Sequence, residues 1–128
     1  MTIYKFLLFI ILSFFIFLSK IQAQYIFISN ENSDTITVLN KDKKIIKTVE
    51  TGGRPRDMKF NYDYSLLYVV VSEENHIAVI DTKSLEIIEY IESGDDPEIF
   101  DISPDGKLIA VSNEDDNQIT IIDIKTRK

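Results

Sequence analysis

Short apolar runs separated by polar clusters make up the chain from Gln24 onward. Each run holds five to seven residues and is rich in Val, Ile, Thr and Tyr, which is typical of β-strands. No eleven-residue stretch in this part has the apolar period of an amphipathic helix. The pattern predicts ten strands, at 25–29, 35–39, 44–50, 55–60, 67–72, 76–81, 86–91, 97–103, 108–112 and 118–123.

These predicted strands recur with a period of roughly 42 residues, as repeat architectures do. The period is kept by Ile36, Ile77 and Ile119, and by the pairs Gly53 and Gly94, Pro55 and Pro97, and Asp63 and Asp105. Four short strands in each period are typical of a propeller blade. The sequence therefore predicts an all-β fold of β-propeller blades, each of four antiparallel strands, with about two and a half blades in the chain.

Residues 1–23 have the pattern of an export signal. Lys5 precedes an apolar stretch over 6–19, and Ala23 supplies a small residue before a cleavage point. We expect a signal peptide at 1–23 and propeller repeats at 24–128, in a periplasmic or secreted protein without a stable membrane anchor. The alternative is a retained anchor, but the apolar stretch is short against the roughly 20 residues needed to cross a bilayer.

Charge and composition exclude several classes of function. The net charge is −7, and loss of Lys5 and Lys20 with the signal peptide leaves 12 basic and 21 acidic residues, a net charge of −9. Nucleic acid is not expected as a partner, because phosphate binding requires clustered Lys and Arg. The chain has no cysteine, so it has no disulfide, thiolate metal site or haem attachment motif.

Two segments show a family resemblance. Residues 75–82 spell N-H-I-A-V-I-D-T, and residues 97–108 spell P-E-I-F-D-I-S-P-D-G-K-L. They resemble the repeat of the YVTN family of β-propellers, whose consensus pairs N-x-hydrophobic-x-V-I-D-T with a later G-x-x-P…S-P-D-G turn. The stretches 93–100 and 112–117 are more narrowly similar to exported propellers associated with pyrroloquinoline-quinone (PQQ)-dependent catabolism.

The chain departs from this family in two respects. Complete members carry about seven blades, so we expect a fragment or a truncated reading frame. The turn Ser103-Pro-Asp-Gly106 has Pro to fix φ, Asp to bond the backbone and Gly to accept a positive φ. At the same place in the preceding repeat the chain has Asn61-Tyr-Asp-Tyr64.

The resemblance implies a non-enzymatic binding or docking module, accessory to quinoprotein (PQQ-dependent) alcohol catabolism, with a dehydrogenase or cytochrome as partner. The alternative is a fragment of a propeller enzyme, such as a lactonase or an amine-dehydrogenase-like subunit, because fold alone does not choose between functions. An enzyme would direct His, Asp or Glu side chains from several blades into the channel. The inner strands instead offer Met58, Phe60, Ile99 and Ile102, so apolar packing is expected there.

No catalytic residue, metal ligand or cofactor is predicted. His76 has Thr35 and Gln118 as its repeat counterparts, which favours an ordinary polar loop position. The loop acids lack the D-x-D-x-D-G spacing of a calcium loop. The glycines of 52–57 are explained by the return from an outer strand to the next inner strand, since no Lys-Ser/Thr pair of a phosphate-binding loop follows.

Blade topology sorts the charged loops onto two rims. Outer-to-inner and second-to-third connections share one rim, which collects acids, and the other rim collects lysines such as Lys107 and Lys125. Such a dipolar disc favours oriented docking to a partner with a basic patch. The predicted docking residues are Glu73, Glu74, Asp95, Asp96, Glu98, Glu114, Asp115 and Asp116.

Overall fold

The computed structural model describes residues 24–115 and 117–128, so the predicted signal peptide at 1–23 lies outside the described residues. In this part of the chain no helix is long and apolar enough to span a membrane. The described residues form ten strands: β1 Ile26–Asn30, β2 Thr35–Leu39, β3 Ile45–Glu50, β4 Pro55–Phe60, β5 Leu66–Val71, β6 His76–Asp81, β7 Glu86–Glu92, β8 Pro97–Ile102, β9 Leu108–Asn113 and β10 Gln118–Asp123.

The strands pair only with their sequence neighbours, in three antiparallel sheets. The first sheet has the order β1-β2-β3, the second β4-β5-β6-β7 and the third β10-β9-β8. The second sheet is a complete four-stranded blade, with β4 as its inner strand. The predicted fold class of incomplete β-propeller blades is therefore confirmed, and the predicted strand ends agree to within one or two residues.

Side chains that alternate along the second sheet build two separate cores. Leu67, Val69 and Val71 of β5 face the first sheet, where they pack with Ile36 and Val38. The intervening side chains face the third sheet, where they pack in a second cluster: Tyr68, Val70, Ile77, Val79, Phe100, Ile109, Val111 and Ile122. Each contact between two sheets is here called a seam. Because successive side chains of a strand point to opposite faces, the second sheet supplies buried side chains to both seams.

The outer faces of the first and third sheets are apolar and uncovered by the described residues. Ile119 is 72% exposed, whereas Ile77, one period earlier, is fully buried. Ile26 is 47% exposed, whereas its counterpart Leu67 is buried. The repeat therefore places the same kind of side chain at these positions whether or not a neighbouring sheet lies against it.

Each seam also carries an ion pair near its outer edge. At the first seam Lys47 on β3 pairs with Glu86 on β7, with Nζ 2.5 Å from Oε1. At the second seam Arg127 makes a two-pronged contact with Glu89 on β7, with distances of 2.7 and 2.6 Å. Lys47 and Glu89 occupy the same position of successive repeats, so the sign of the charge is reversed between the two seams.

Aspartates of the V-I-D-T type close the turns between the third and fourth strands of a blade. Asp81 Oδ1 accepts hydrogen bonds from the backbone N–H groups of Lys83 and Ser84, and Asp123 Oδ1 accepts the equivalent pair. The Ser84 N–H lowers the pKa of Asp81, because it binds the ionised carboxylate. These motif acids hold turns, which explains why the repeat requires them.

Two expectations for the inner strands were wrong. Phe60, at the end of β4, is 37% exposed rather than packed inside. Ile99 was expected to pack inside, but it is 64% exposed, and the adjacent Phe100 is the buried residue of β8 at 4%. The pairing of β8 with β9 shifts between Pro97 and Phe100, as the pairing of β4 with β5 does between Pro55 and Met58, so Phe100 takes the inward position of Met58. Met58 and Ile102 do pack against the two cores.

Candidate functional site

Backbone hydrogen bonds join alternating loops into one ridge, here called the acidic rim. It consists of the loops β1–β2, β3–β4, β5–β6, β7–β8 and β9–β10. Thr51 N–H donates to Asp34 at 3.0 Å, and Ser93 N–H donates to Asn75 at 3.2 Å. Glu114 N–H likewise donates to the carbonyl of Asp96, at 3.1 Å. Loops distant in sequence are therefore adjacent in space, as blade topology requires.

Each loop between the second and third strands of a blade ends with a residue in the left-handed backbone conformation, which stabilises this ridge. Asp34, Asn75 and Asn117 have φ of 58°, 56° and 51°. Asn75 Oδ1 accepts the N–H of Asp96 at 3.0 Å, and its Nδ2 donates to Asp95 at 3.1 Å. Asn and Asp tolerate this conformation better than other residues with a Cβ, so they recur here for a structural reason.

Seven of the eight predicted docking residues lie within the described part of the chain and are brought to this rim, but they are not equivalent. Asp96 is half-buried, and the side chain of Glu98 is only 16% exposed. Asp116 lies outside the described residues. The exposed members are Glu73, Glu74, Asp95, Glu114 and Asp115. A docking partner would therefore meet these five carboxylates rather than Glu98.

Two arginines neutralise part of the acidic rim. Arg54 Nε lies 3.3 Å from Glu31, and Arg56 lies 3.1 Å from the same carboxylate. Arg56 also pairs with Glu98, which joins the second sheet to the third. Sequence spacing did not reveal this network, because its members are far apart along the chain and meet only where loops or sheets converge.

Gly52 and Gly53 make room for two of the rim acids. A Cβ added to Gly53 would lie 2.8 Å from Cβ of Glu73, and one added to Gly52 would lie 2.8 Å from Cγ of Glu74. Gly53 N–H also approaches Glu74 Oε1 at 3.5 Å. The glycines thus accommodate carboxylate side chains, and the geometry offers no cradle for a phosphate.

Three carboxylates form a group that the sequence did not predict. Oxygens of Asp96, Glu98 and Glu114 lie within 4.8 Å of one another. Oxygen ligands of this kind suit Ca²⁺, but Arg56 already binds one oxygen of Glu98. The other, Oε1, is buried and lacks a hydrogen-bond partner among the described residues. The group arises because two loops converge, for which the sequence gives no local signal.

His76 begins β6 and packs edge-on against Tyr90, with ring centroids 4.5 Å apart. Its Nε2 is buried without a hydrogen-bond partner in the described part of the chain. Burial lowers the pKa of His76, because the charged imidazolium is poorly solvated there.

The remaining loops form the opposite ridge, here called the basic rim. Thr82 N–H donates to Ser65 at 3.0 Å, and Ile124 N–H donates to Lys107 at 2.8 Å. These loops carry exposed Lys41, Lys43, Lys44, Lys83, Lys107 and Lys125. The same loops expose fewer acids, Asp42, Asp63 and Asp105, so the two rims differ in the balance of their exposed charge.

Known structures share this arrangement of strands. A hydrazine synthase from Kuenenia stuttgartiensis is 28% identical, with a TM-score of 0.73 over 80% of this chain and 30% of that one. A putative 6-phosphogluconolactonase from Bacteroides fragilis is 24% identical, with a TM-score of 0.67 over 76% of this chain and 31% of that one. The dihydro-heme d1 dehydrogenase NirN is 17% identical, with a TM-score of 0.69 over 81% of this chain and 23% of that one.

The chain thus spans a third or less of each of these structures. No curated protein is a match. The family described as YNCE-like beta-propeller matches residues 18–128, which is most of the sequence. Together with the three sheets and their regular repeat, this match shows that the chain belongs to the YNCE-like β-propeller family.

Proposed function

We propose that this chain is part of an exported, non-enzymatic propeller that docks a protein partner through its acidic rim. One observation carries the proposal: loops that alternate along the sequence are hydrogen-bonded into a ridge of exposed carboxylates, while the intervening loops expose lysines. A disc with opposite charges on its two rims orients an approaching partner before contact.

The chemistry of the rim defines the partner. Glu31 and Glu98 are held by Arg54 and Arg56, so among the predicted docking residues the outward charge rests on the five exposed acids. A complementary partner would present a basic patch. The resemblance to exported propellers associated with PQQ-dependent catabolism supports a dehydrogenase or a cytochrome of quinoprotein alcohol oxidation as that partner.

Association kinetics test this proposal. The probe is a c-type cytochrome with a basic surface, and the protein is the full-length propeller that contains these residues. Neutralising one loop with Glu114→Gln, Asp115→Asn and Asp116→Asn should slow association by about tenfold at low salt and change dissociation less, because rim charges steer encounter. Association of the unmodified protein should slow further as salt rises past about 0.1 M, where the Debye length is about 10 Å.

The matched control neutralises three exposed lysines of the basic rim, with Lys83→Gln, Lys107→Gln and Lys125→Gln. This variant should associate as fast as the unmodified protein or slightly faster. If association depends neither on salt nor on the triple acidic substitution, the rim acids are only a solvated surface and the proposal is contradicted.

Export has a separate test. We expect the signal peptide to be removed after Ala23, so intact-mass measurement of the secreted protein should give a chain that starts at Gln24. A membrane-bound product that retains Met1 would contradict this.

A second candidate function is a fragment of a propeller enzyme, favoured by the convergence of Asp96, Glu98 and Glu114. An enzyme would need this group for turnover, whereas docking would use only the charge of its exposed member, Glu114. Lactone hydrolysis by the full-length propeller, abolished by Glu114→Gln, would select the enzyme.

A further inference from the structure

The turn between β4 and β5 carries three aromatic side chains at alternate positions, here called the aromatic platform. Phe60, Tyr62 and Tyr64 are 37%, 70% and 59% exposed. Their counterparts in the next repeat are Ile102, Pro104 and Gly106, so the platform occurs in one of the two described turns of this type. Exposed apolar groups this close together often mark a binding site.

The turn that carries the platform has the same backbone conformation as its counterpart. Tyr64 has φ of 60°, and Gly106 holds the same position of the next turn with φ of 70°. Leu85 and Arg127 also have φ near 60° at another turn of the repeat, so this conformation is a feature of the fold and not by itself the sign of a site. The rings of Tyr64 and Phe60 lie 5.4 Å apart, which fixes Tyr64 beside the inner strand.

Tyr62 is held across the second seam. Its hydroxyl donates to the carbonyl of Pro104 in the turn of the third sheet. Its ring passes close over Gly106, where an added Cβ would lie 3.2 Å from Cδ2. A tyrosine ring with two such supports is pre-organised, although most of its surface remains open to solvent.

Two cavities flank this ring. One of about 430 Å³ is lined by Lys59, Phe60, Tyr62, Tyr64 and Asp101. The other, of about 540 Å³, lies between Tyr62 and the buried side chain of Tyr68. Their volumes are within the range that binds small organic ligands.

The lining combines both signs of charge in equal number. Across the two cavities it includes the acids Asp63, Asp101 and Asp105 and the bases Lys59, Lys125 and Arg127. Asp63 and Asp105 have lowered pKa values, chiefly because Ser65 and Ser103 donate hydrogen bonds to their carboxylates. As aspartates they are ionised at neutral pH and act as acceptors. Lysines and the Asn61 amide supply donors.

From this arrangement we infer that the aromatic platform and its two cavities bind a neutral oligosaccharide. A sugar ring has an apolar C–H face that stacks on an aromatic ring, and hydroxyls at its edge that require both donors and acceptors. A quaternary ammonium ligand fits less well, because the lining adds no net negative charge and includes two lysines. The site lies on the basic rim and is independent of docking at the acidic rim.

Calorimetric titration of the full-length propeller with maltotetraose, cellotetraose and chitotetraose tests the inference. At least one should bind in the millimolar range or tighter, with saturation-transfer NMR signals on the ring C–H protons. Replacing the residues of this turn by those of the turn between β8 and β9, with Asn61→Ser, Tyr62→Pro and Tyr64→Gly, should weaken binding at least about tenfold. This variant copies a turn that the same fold already contains, so it preserves the backbone.

Two matched variants complete the design. Tyr90→Ala removes a tyrosine that is 56% exposed on β7 and does not line either cavity, so binding should be unchanged. Tyr62→Phe keeps the stacking ring but loses its hydrogen bond to Pro104, so its affinity should lie between those of the original and the grafted turn. The inference is overturned if none of the three sugars binds at millimolar concentration, if the grafted turn binds as well as the original, or if choline or adenosine binds more tightly than every sugar.

Discussion

At the scale of single residues, backbone conformation follows the position in the repeat more closely than residue identity. Lys43, Leu85 and Arg127 all adopt φ near 60° at one turn position. Tyr64 likewise adopts the conformation of Gly106. The turns could be predicted because Asp, Asn and Gly mark them, but no pattern indicated that Arg127 would reach Glu89. Such a pair depends on how neighbouring sheets are rotated against each other.

His76 should make stability depend on pH in a predictable direction. Its pKa in the folded protein is lowered by burial, whereas the unfolded chain binds the proton near the ordinary value of about 6.5. The stability that depends on a neutral imidazole is therefore fully present above that value and is lost as pH falls through it. His76→Gln copies Gln118 of the next repeat. The urea midpoint of this variant should change less between about pH 7 and pH 5 than that of the unmodified protein. Parallel profiles for the two proteins would contradict this.

Alanine substitutions at Gly94 and Gly106 distinguish the cost of backbone strain from the cost of side-chain crowding. Both have positive φ, so an alanine at either site costs about 1 kcal/mol or more. An added Cβ at Gly94 would also lie 2.7 Å from Thr120 Oγ1 and 2.9 Å from Asn113 Nδ2. That amide donates to the carbonyls of Ser93 and Asp95, so its displacement adds about 1–3 kcal/mol. Urea unfolding should show Gly94→Ala as clearly more destabilising than Gly106→Ala, and equal losses would contradict the crowding.

At the scale of strands and sheets, the sequence was most informative. Strand positions, their period and the sorting of loops between two rims followed from apolar runs, turn residues and the topology of a blade. The inner strand β8 was predicted less well, since its irregular pairing made Phe100 rather than Ile99 the buried residue. Alternation predicts burial only where the strand is regular; β4 has the same shift after Pro55, so the period counted from Met58, and not alternation, indicates Phe100.

Ile77 and Ile119 allow a matched test of seam packing. They share a repeat position, but Ile77 is fully buried in the second seam and Ile119 is 72% exposed. Ile77→Ala should lower stability by about 2–5 kcal/mol through lost burial and a residual cavity. Ile119→Ala should change it by no more than about 0.5 kcal/mol. Apparent urea midpoints at one fixed concentration would measure both, and similar shifts would contradict the assignment of the seams.

At the scale of the whole molecule, the two uncovered sheet faces are expected to govern association with other chains. Ile26 and Ile28 are exposed on the first sheet, and Ile119 and Ile121 on the third. Apolar faces and open strand edges pair readily with other chains. Within a propeller such faces lie against further blades, and the similar structures are much longer than the segment they share with this chain.

Residues 24–128 expressed alone should therefore self-associate. Sedimentation should detect species larger than the monomer, and Ile119→Thr with Ile121→Thr should reduce them, because the substitutions keep β-propensity while adding hydroxyls to the face. Asp95→Asn with Glu114→Gln, which changes charge on the rim, serves as the control. A monomer that unfolds in one cooperative transition would contradict the expectation.

The reversed ion pairs at the two seams distinguish the correct neighbour of each sheet from a wrong one. If the third sheet docked on the first, the repeat register would put Arg127 opposite Lys47, and a second sheet docked on another second sheet would put Glu86 opposite Glu89. Both errors oppose like charges, whereas the native order opposes unlike ones. Exposed pairs add only about 0–1 kcal/mol each to stability, but discrimination depends on the difference between right and wrong partners. The order of these three sheets is thereby favoured by charges that contribute little to holding them together.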